Sequence, residues 1–229
     1  MNVYSLSRFL LEQPIQNNKI GKSMKKLVSL LLAAVSLGLS GCATVLTAEQ
    51  SAPQLNEVPQ EKALTVAVID KRPYVLDHDK EPKFEGIIRS SLGIPYTYNT
   101  ATQQPMSQFL TDRLVAGLKK QQVAVESIET TPEEDITKVA EQMKAFDNKS
   151  MMFVLNEWKY DFHAFTDNSW YNVNVIIYDE AGKKLLSKNF QGENDVPDGG
   201  AIINEMQLIY KQRFEEIFRD AEVKSALLN

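Results

Sequence analysis

The segment from residue 150 to residue 165, SMMFVLNEWKYDFHAF, constrains the fold because it is long, apolar and irregular. Its apolar side chains occupy odd positions as far as Leu155 and even positions from Trp158 onwards. Successive side chains of a strand point to opposite faces, so this change of parity requires an extra residue. The sequence therefore predicts one long strand with a β-bulge or break near Asn156 and Glu157.

Further strands and helices are predicted on both sides of this strand. The β-branched run Leu64–Asp70 and the run Val123–Glu129 are typical of strands. The stretch from Lys71 to Gln104 is rich in Gly and Pro and should contain a short strand or hairpin. Alternating apolar residues from Tyr171, followed by a turn at Asp179–Gly182, predict a long β-hairpin.

Three helices are predicted from apolar residues at helical spacing. The first runs from Pro105 to about Gln121, and the last from about Ala201 to Asp220. The middle helix should begin at a capping box, with Thr131 as N-cap and Glu134 at N3. This order predicts an α/β or α+β fold, a single two-layer sandwich with a mixed sheet, the long hairpin and about three helices.

A short leader precedes the only cysteine of the chain, Cys42. The positive start Met24-Lys25-Lys26 is followed by the apolar run from Leu27 to Leu39. A membrane-spanning helix needs about 20 apolar residues, and this run is shorter. Charged, apolar and small residues in this order are typical of a secretory signal. We predict that residues 1–41 are leader and signal peptide, with Met24 as the true start; a signal peptide with a long n-region that begins at Met1 is the alternative.

The quartet Leu39-Ser40-Gly41-Cys42 resembles the lipobox of bacterial lipoproteins. The resemblance implies signal cleavage between Gly41 and Cys42, a diacylglycerol on the Cys42 sulfur and an acyl chain on the new amine. Two or more such chains anchor a protein firmly, whereas one anchors it marginally. The alternative is a buried apolar cysteine in an ordinary helix. Ala43 stands where an Asp would imply retention in the inner membrane. The resemblance therefore implies the outer membrane, facing the periplasm, with the periplasmic face of the inner membrane as the alternative.

Residues 42–63 should combine the lipidated cysteine with a flexible tether, because they are polar, contain proline and lack a sustained apolar period. An ordered N-terminal arm is the alternative. Residues 64–229 should form a single globular α/β domain. The element order, with Asp70-Lys71-Arg72 at the end of the first strand, resembles small lipoproteins of the YajG type. That family implies no catalytic residues, so the resemblance adds only the anchor.

Two arginines among apolar neighbours are candidates for ligand binding. Arg72 lies in DKRPYVL and Arg89 in GIIRSSLGIPY. A planar guanidinium suits carboxylates and anionic ligands. The alternative is an ion pair within the domain, for example with Asp70 or Glu85.

Aromatic residues provide a second set of candidates, namely Tyr74, Trp158 and Trp170. An exposed aromatic stripe across adjacent strands would suit a sugar ring, a peptide or a protein partner. The same side chains under the helices would be core.

Composition narrows the function. The chain has a net charge of −5 and no basic block, which argues against nucleic acid as a partner. Two histidines and one cysteine leave little for a metal or other cofactor. The run Asp77-His78-Asp79 is more typical of a solvated loop than of a metal site. His163 and Asp161 could serve a hydrolase, but no nucleophile-elbow motif accompanies them.

The leading hypothesis is therefore a non-enzymatic lipoprotein that faces the periplasm and binds an envelope protein or glycan. One alternative is a subunit of an outer-membrane or transport complex, with an exposed sheet edge pairing to another chain. The other is an envelope hydrolase.

Lipidation is the first testable prediction. Cells of a two-membrane bacterium that express the chain should incorporate labelled palmitate into the wild type and not into Cys42→Ser, because the thiolate is the acceptor of the lipid. Gel autoradiography measures the label, and immunoblotting controls for expression. Equal labelling of both proteins would contradict the lipobox assignment.

Overall fold

The computed structural model describes residues 44–56, 58–59, 63–163, 168–195 and 201–229. The lipobox, Cys42 and the predicted signal-cleavage site lie outside these residues. The strands are β1 (Leu64–Asp70), β2 (Phe84–Arg89), β3 (Pro95–Asn99), β4 (Val125–Ile128), β5 (Lys149–Phe162), β6 (Asn168–Tyr178) and β7 (Lys184–Asp195). The helices are α1 (Pro73–Leu76), α2 (Met106–Lys120), α3 (Ile136–Lys144), α4 (Ile202–Arg219) and α5 (Ala221–Leu228).

The predicted mixed sheet and α+β class are confirmed. The seven strands form one sheet, with β5 pairing to β1 and β2 along one side and to β6 along the other. The β1, β2 and β4 pairings on that first side are parallel, apart from the β2–β3 hairpin. The predicted long hairpin is β6–β7, and Gly182 in its turn has a φ of +79°. Two short helices, α1 and α5, add to the three that were predicted.

The predicted bulge in the long strand is also confirmed. The register between β5 and β6 shifts between Leu155 and Glu157. The shift keeps one face of β5 in the main core on both sides of the bulge. The β5 residues of that core are Met151, Phe153, Leu155, Trp158 and Tyr160. One strand can therefore serve the core along its whole length while changing its direction and its neighbours.

Helices cover the two faces of the sheet unequally. The main core lies between the sheet and α2, α4 and α5. A smaller core on the opposite face is covered by α3, where Val139 and Met143 pack against Met152 and Val154 of β5. We call this opposite face the outer face. The part of it beyond the β5 bulge is left uncovered by α3 and forms the site described below.

The predicted start of the middle helix is wrong. The helix α3 begins at Ile136, and its N-cap is Asp135, whose carboxylate accepts from the Thr137 N–H at 2.7 Å. Part of the predicted box does exist, because the Thr131 N–H donates to Glu134 Oε2 at 2.9 Å. That contact closes a turn ahead of the helix, and Asp135 takes the capping position because Asp is among the best N-cap residues.

The flexible tether is corrected for the described residues between 44 and 59. These residues form an arm against the domain, with Ala52, Leu55 and Val58 buried. The Gln54 N–H donates to Glu215 Oε1 of α4 at 2.8 Å. Three apolar side chains in a polar segment make no sustained period, yet each buried one stabilises the packed arm. One compact unit accordingly spans Val45–Asn229 rather than 64–229 alone.

Arg72 joins three segments of the chain from the interior. Its side chain is fully buried and its Nε and Nη2 donate to the two Asp70 carboxylate oxygens at 2.8 and 2.7 Å. The Nη1 group donates to the Phe84 and Trp158 carbonyls at 2.8 and 2.9 Å, and Nη2 also donates to the Pro82 carbonyl at 3.2 Å. Every N–H of the guanidinium is thus used. The ion pair within the domain, left open as the alternative for Arg72, is the one observed.

None of the helices in the described residues is long and apolar enough to span a membrane.

Removing Arg72 should unfold the protein at much lower denaturant. We expect Arg72→Ala to lower the free energy of unfolding by about 3–5 kcal/mol, because it leaves the buried Asp70 carboxylate without its cation and removes one donor from each of three carbonyls. Urea titration followed by circular dichroism measures the change. The matched control is Arg89→Ala, whose ion pair with Asp161 is partly exposed and should matter far less. Equal losses in both variants would contradict the role assigned to Arg72.

Candidate ligand cleft

An open cleft of about 960 Å³ lies on the outer face beside the β5 bulge. Its wall combines α1, β2 and the three long strands β5, β6 and β7. The side chains used below are Tyr74, Lys80, Ile87, Glu157, Lys159, Asp161, Trp170, Asn172, Gln191 and Glu193. We call this site the aromatic cleft. Its volume is typical of sites for small ligands.

Two aromatic rings and an ion pair form the centre of the aromatic cleft. The Tyr74 hydroxyl donates to Glu157 Oε1 at 2.9 Å, and Lys159 Nζ lies 3.3 Å from Glu157 Oε2. The same ammonium lies 5.4 Å from the centre of the Tyr74 ring and 6.0 Å from that of Trp170. Burial raises the pKa of Tyr74, so its hydroxyl stays protonated as a donor. The cation and the carboxylate fix where Tyr74 sits relative to Trp170.

A row of amide side chains extends the aromatic cleft across the outer face. Asn156 Nδ2 donates to Asn172 Oδ1 at 3.2 Å, and Asn172 Nδ2 donates to Gln191 Oε1 at 3.3 Å. Asn189 Nδ2 lies 3.5 Å from the same Gln191 oxygen. Each amide has both donors and an acceptor, and these bonds leave part of that capacity over. The row can therefore both give and accept hydrogen bonds with a ligand.

The sequence predicted two residues of this site and missed the others. Tyr74 and Trp170 both line the aromatic cleft, whereas Glu157, Lys159 and the amides were not singled out. The signal that could have found them is the alternation itself. Once the bulge places Trp158 in the core, Glu157 and Lys159 must face the other way.

Trp158 and Arg72 do not contact the aromatic cleft with their side chains, because both are fully buried. The Trp158 and Phe214 rings stack with their centres 5.9 Å apart. The Arg213 guanidinium lies 4.9 Å from the centre of the Trp158 ring. The prediction that these two residues bind a ligand is corrected. The Trp158 side chain packs in the main core, and the Arg72 guanidinium is bonded to Asp70 and to backbone carbonyls.

Arg89 is engaged by Asp161. Its Nε and Nη2 donate to the two carboxylate oxygens at 2.7 and 2.5 Å, a bidentate pair across β2 and β5. A small pocket of about 370 Å³ beside this pair contains His163. Among the described residues, its other lining residues, Gly93, Asn168 and Trp170 among them, include no Ser, Thr or Cys.

No group of three or more His, Cys, Asp or Glu side chains in the described ranges could hold a metal ion.

A buried carboxyl group lies behind the wall of the aromatic cleft. The register of β2 against β3 shifts between Phe84 and Gly86, which makes Glu85 the extra residue of a bulge. Glu85 is 1 % exposed, and neither carboxyl oxygen has a hydrogen-bond partner among the described residues. Burial raises its pKa to about 7, although the Tyr210 hydroxyl and nearby guanidinium groups lower it. The bulge turns the Glu85 side chain toward the interior, whereas an unbroken strand would direct it to the other face of the sheet.

Stability should therefore depend on pH through Glu85. A carboxyl whose pKa is raised from 4.5 to about 7 by folding binds more protons folded than unfolded, so stability falls as pH rises between these values. The loss approaches about 3 kcal/mol. Relative to the wild type, Glu85→Gln should therefore have a higher free energy of unfolding at pH 8 than at pH 4.5, by that amount. Urea titrations of both proteins at the two pH values measure this difference. Glu126→Gln on the exposed β4 is the control; the same pH dependence in wild type and Glu85→Gln would contradict the burial effect.

No protein-family model and no curated protein matches this chain. Matching solved structures include an uncharacterized protein, at 13% identity and a TM-score of 0.42, over 73% of this chain and 94% of that one. They also include the lipoprotein GNA1162 from Neisseria meningitidis (8%, TM-score 0.35, 69% and 99% covered) and the hypothetical protein CT253 from Chlamydia trachomatis (14%, 0.37, 73% and 98%). Such likenesses include a lipoprotein but assign no function to this chain.

Proposed function

We propose that the chain is a lipid-anchored protein of the bacterial envelope that binds a glycan in the aromatic cleft. The observation that carries the proposal is the Tyr74–Lys159–Trp170 arrangement with the amide row beside it. The role is non-enzymatic binding, in which the domain holds an envelope component near the membrane.

The chemistry of the aromatic cleft suits a neutral, hydroxyl-rich ligand. Aromatic faces accept the C–H face of a sugar ring, and carboxylates and amides bind hydroxyls as acceptors or donors. The charges are mixed, with Lys80 and Lys159 against Glu157, Asp161 and Glu193. A strongly anionic or cationic ligand would meet like charges at this site, whereas an uncharged glycan would not.

The anchor gives the proposed location. The lipobox resemblance assigns the diacylglycerol and the N-acyl chain to Cys42, and Ala43 favours the outer membrane, with the domain facing the periplasm. Covalent acyl chains suit an acidic protein, because its net charge of −5 gives it no attraction to anionic lipid.

A second candidate function is a subunit role in an outer-membrane or transport complex. The uncharged strand β3 and the tip of its hairpin favour it, since Leu92 at the tip is 85 % exposed and Tyr96 is 54 % exposed. Affinity capture from crosslinked membranes would recover defined partner proteins if this role were the main one, and the loss of those partners on changing the hairpin would identify the contact.

Glycan binding is tested with two uncharged probes, oligosaccharides of N-acetylglucosamine and oligosaccharides of glucose. We expect one of the two to bind, and Trp170→Ala to weaken that binding at least tenfold, because stacking on the ring is lost. Isothermal titration calorimetry measures the affinity. Trp170→Phe should retain part of it.

Phe146→Ala is the matched control, since this ring is 41 % exposed and is not among the lining residues. Its affinity should equal that of the wild type. Failure of both probes to bind, or unchanged binding by Trp170→Ala, would refute the proposed function.

A further inference from the structure

The free edges of the sheet differ in how they are protected. In the described part of the chain, β3, β4 and β7 each pair on one side only. The edge strand β4 carries the exposed Glu126, and Lys188 of β7 forms an ion pair with Asp220 at 2.8 Å. The strand β3 carries no charge, and no charged residue occurs between Arg89 and Asp112 in a chain that is 24% charged. Charged residues protect edges from pairing, so β3 is the edge without this protection.

The backbone of β3 has hydrogen-bonding groups that point away from β2. The Ile94 carbonyl accepts from the Ser90 N–H, and the Thr100 N–H donates to the Lys83 carbonyl, both at 2.9 Å. In an antiparallel pair, residues two apart direct their groups to the same side. Even-numbered residues of β3 therefore bond to β2. The outward groups belong to Pro95, Thr97 and Asn99.

Apolar side chains accompany this open edge. Leu92, Ile94, Tyr96 and Tyr98 are 85 %, 51 %, 54 % and 37 % exposed. The last three share one face of β3 because they are two residues apart. Single exposed apolar residues are ordinary, but a continuous strip along an unprotected edge is typical of an interaction surface.

We propose that β3 pairs with the β3 of a second copy of this chain, antiparallel, about a two-fold axis at Thr97. The two copies then form one continuous sheet. In each copy the Thr97 N–H donates to the Thr97 carbonyl of the other copy, and the Asn99 N–H donates to its Pro95 carbonyl. Pro95, which has no N–H, falls at the ends of this ladder, where Pro is tolerated.

The side chains of β3 are self-complementary in this arrangement. Thr97 lies opposite Thr97, and Tyr96 lies opposite Tyr98 in both halves. Cross-strand Thr–Thr and aromatic pairs are stabilising, and like charges, which a two-fold axis would set against each other, are absent. A shift of the axis to Tyr98 would keep a single tyrosine pair and set Tyr96 against the buried Thr100. The axis at Thr97 is therefore the favoured register, and the dimer is independent of ligand binding in the aromatic cleft.

Crosslinking of the full chain in membranes tests the register. Residues directly opposite in a bonded pair have Cα atoms about 5.5 Å apart, which suits a disulfide. Under mild oxidation, Thr97→Cys should form a covalent dimer at least tenfold more than Ser187→Cys, an exposed site on the other edge strand β7. The wild type, whose only cysteine is Cys42, shows the background from chains that carry no lipid on that sulfur. A Tyr98→Cys dimer with no Thr97→Cys dimer would overturn the register. Crosslinks to a different protein would overturn the second copy as the occupant.

Sedimentation of the full chain in non-ionic detergent tests the dimer itself. We expect a concentration-dependent dimer for the wild type and at least tenfold weaker association for Thr97→Lys, which sets two ammonium groups face to face. Ser187→Lys on β7 is the matched control and should dimerise as the wild type does. Circular dichroism confirms that each variant is folded. A monomeric wild type, or a Thr97→Lys variant that dimerises normally, would overturn the proposal.

Discussion

The buried ion pair between Arg72 and Asp70 is the interaction on which the rest of the structure depends. The Arg72 guanidinium donates to Asp70 at the end of β1, to Phe84 at the start of β2 and to Trp158 just beyond the bulge of β5. Leaving either partner of such a pair alone in the interior is costly, so the three segments keep their positions together. The helix α1 starts at Pro73, directly after Arg72, and carries Tyr74 to the mouth of the aromatic cleft. The Arg72–Asp70 ion pair thus positions both the core and the aromatic cleft.

The bulge in β5 allows this one strand to serve both the core and the aromatic cleft. Before it, both faces of β5 are buried, one under α3 and one under the main helices. After it, the inner face continues into the core with Trp158 and Tyr160, while Glu157 and Lys159 on the other face enter the aromatic cleft. The change of partner from β1 to β2 occurs along the same strand. Alternate residues of one strand therefore pack in the core and line the aromatic cleft.

Features that follow from local periodicity could be predicted from the sequence. The parity change at Leu155 fixed the bulge, and the turn at Gly182 fixed the hairpin. Features that depend on distant partners could not. The arm is ordered because Leu55 meets a core assembled from other elements, and Arg72 is buried because carbonyls far away in the sequence converge on it. Within the aromatic cleft, the sequence indicates Tyr74 and Trp170 as aromatic candidates for binding. Their shared contact with Lys159 could not be predicted, because it depends on the register of β5, β6 and β7.

The arm also has a consequence for the order of synthesis. Leu46 donates its N–H to Asn204, so the earliest part of the domain to emerge is bonded to one of the last elements, the helix α4. Chains dominated by such distant contacts fold slowly, because loop closure precedes the stabilising contacts. During synthesis, the groove for Leu55 would stay open until the C-terminal helix α4 is made. The apolar side chains of the arm would therefore stay exposed for as long as α4 is missing.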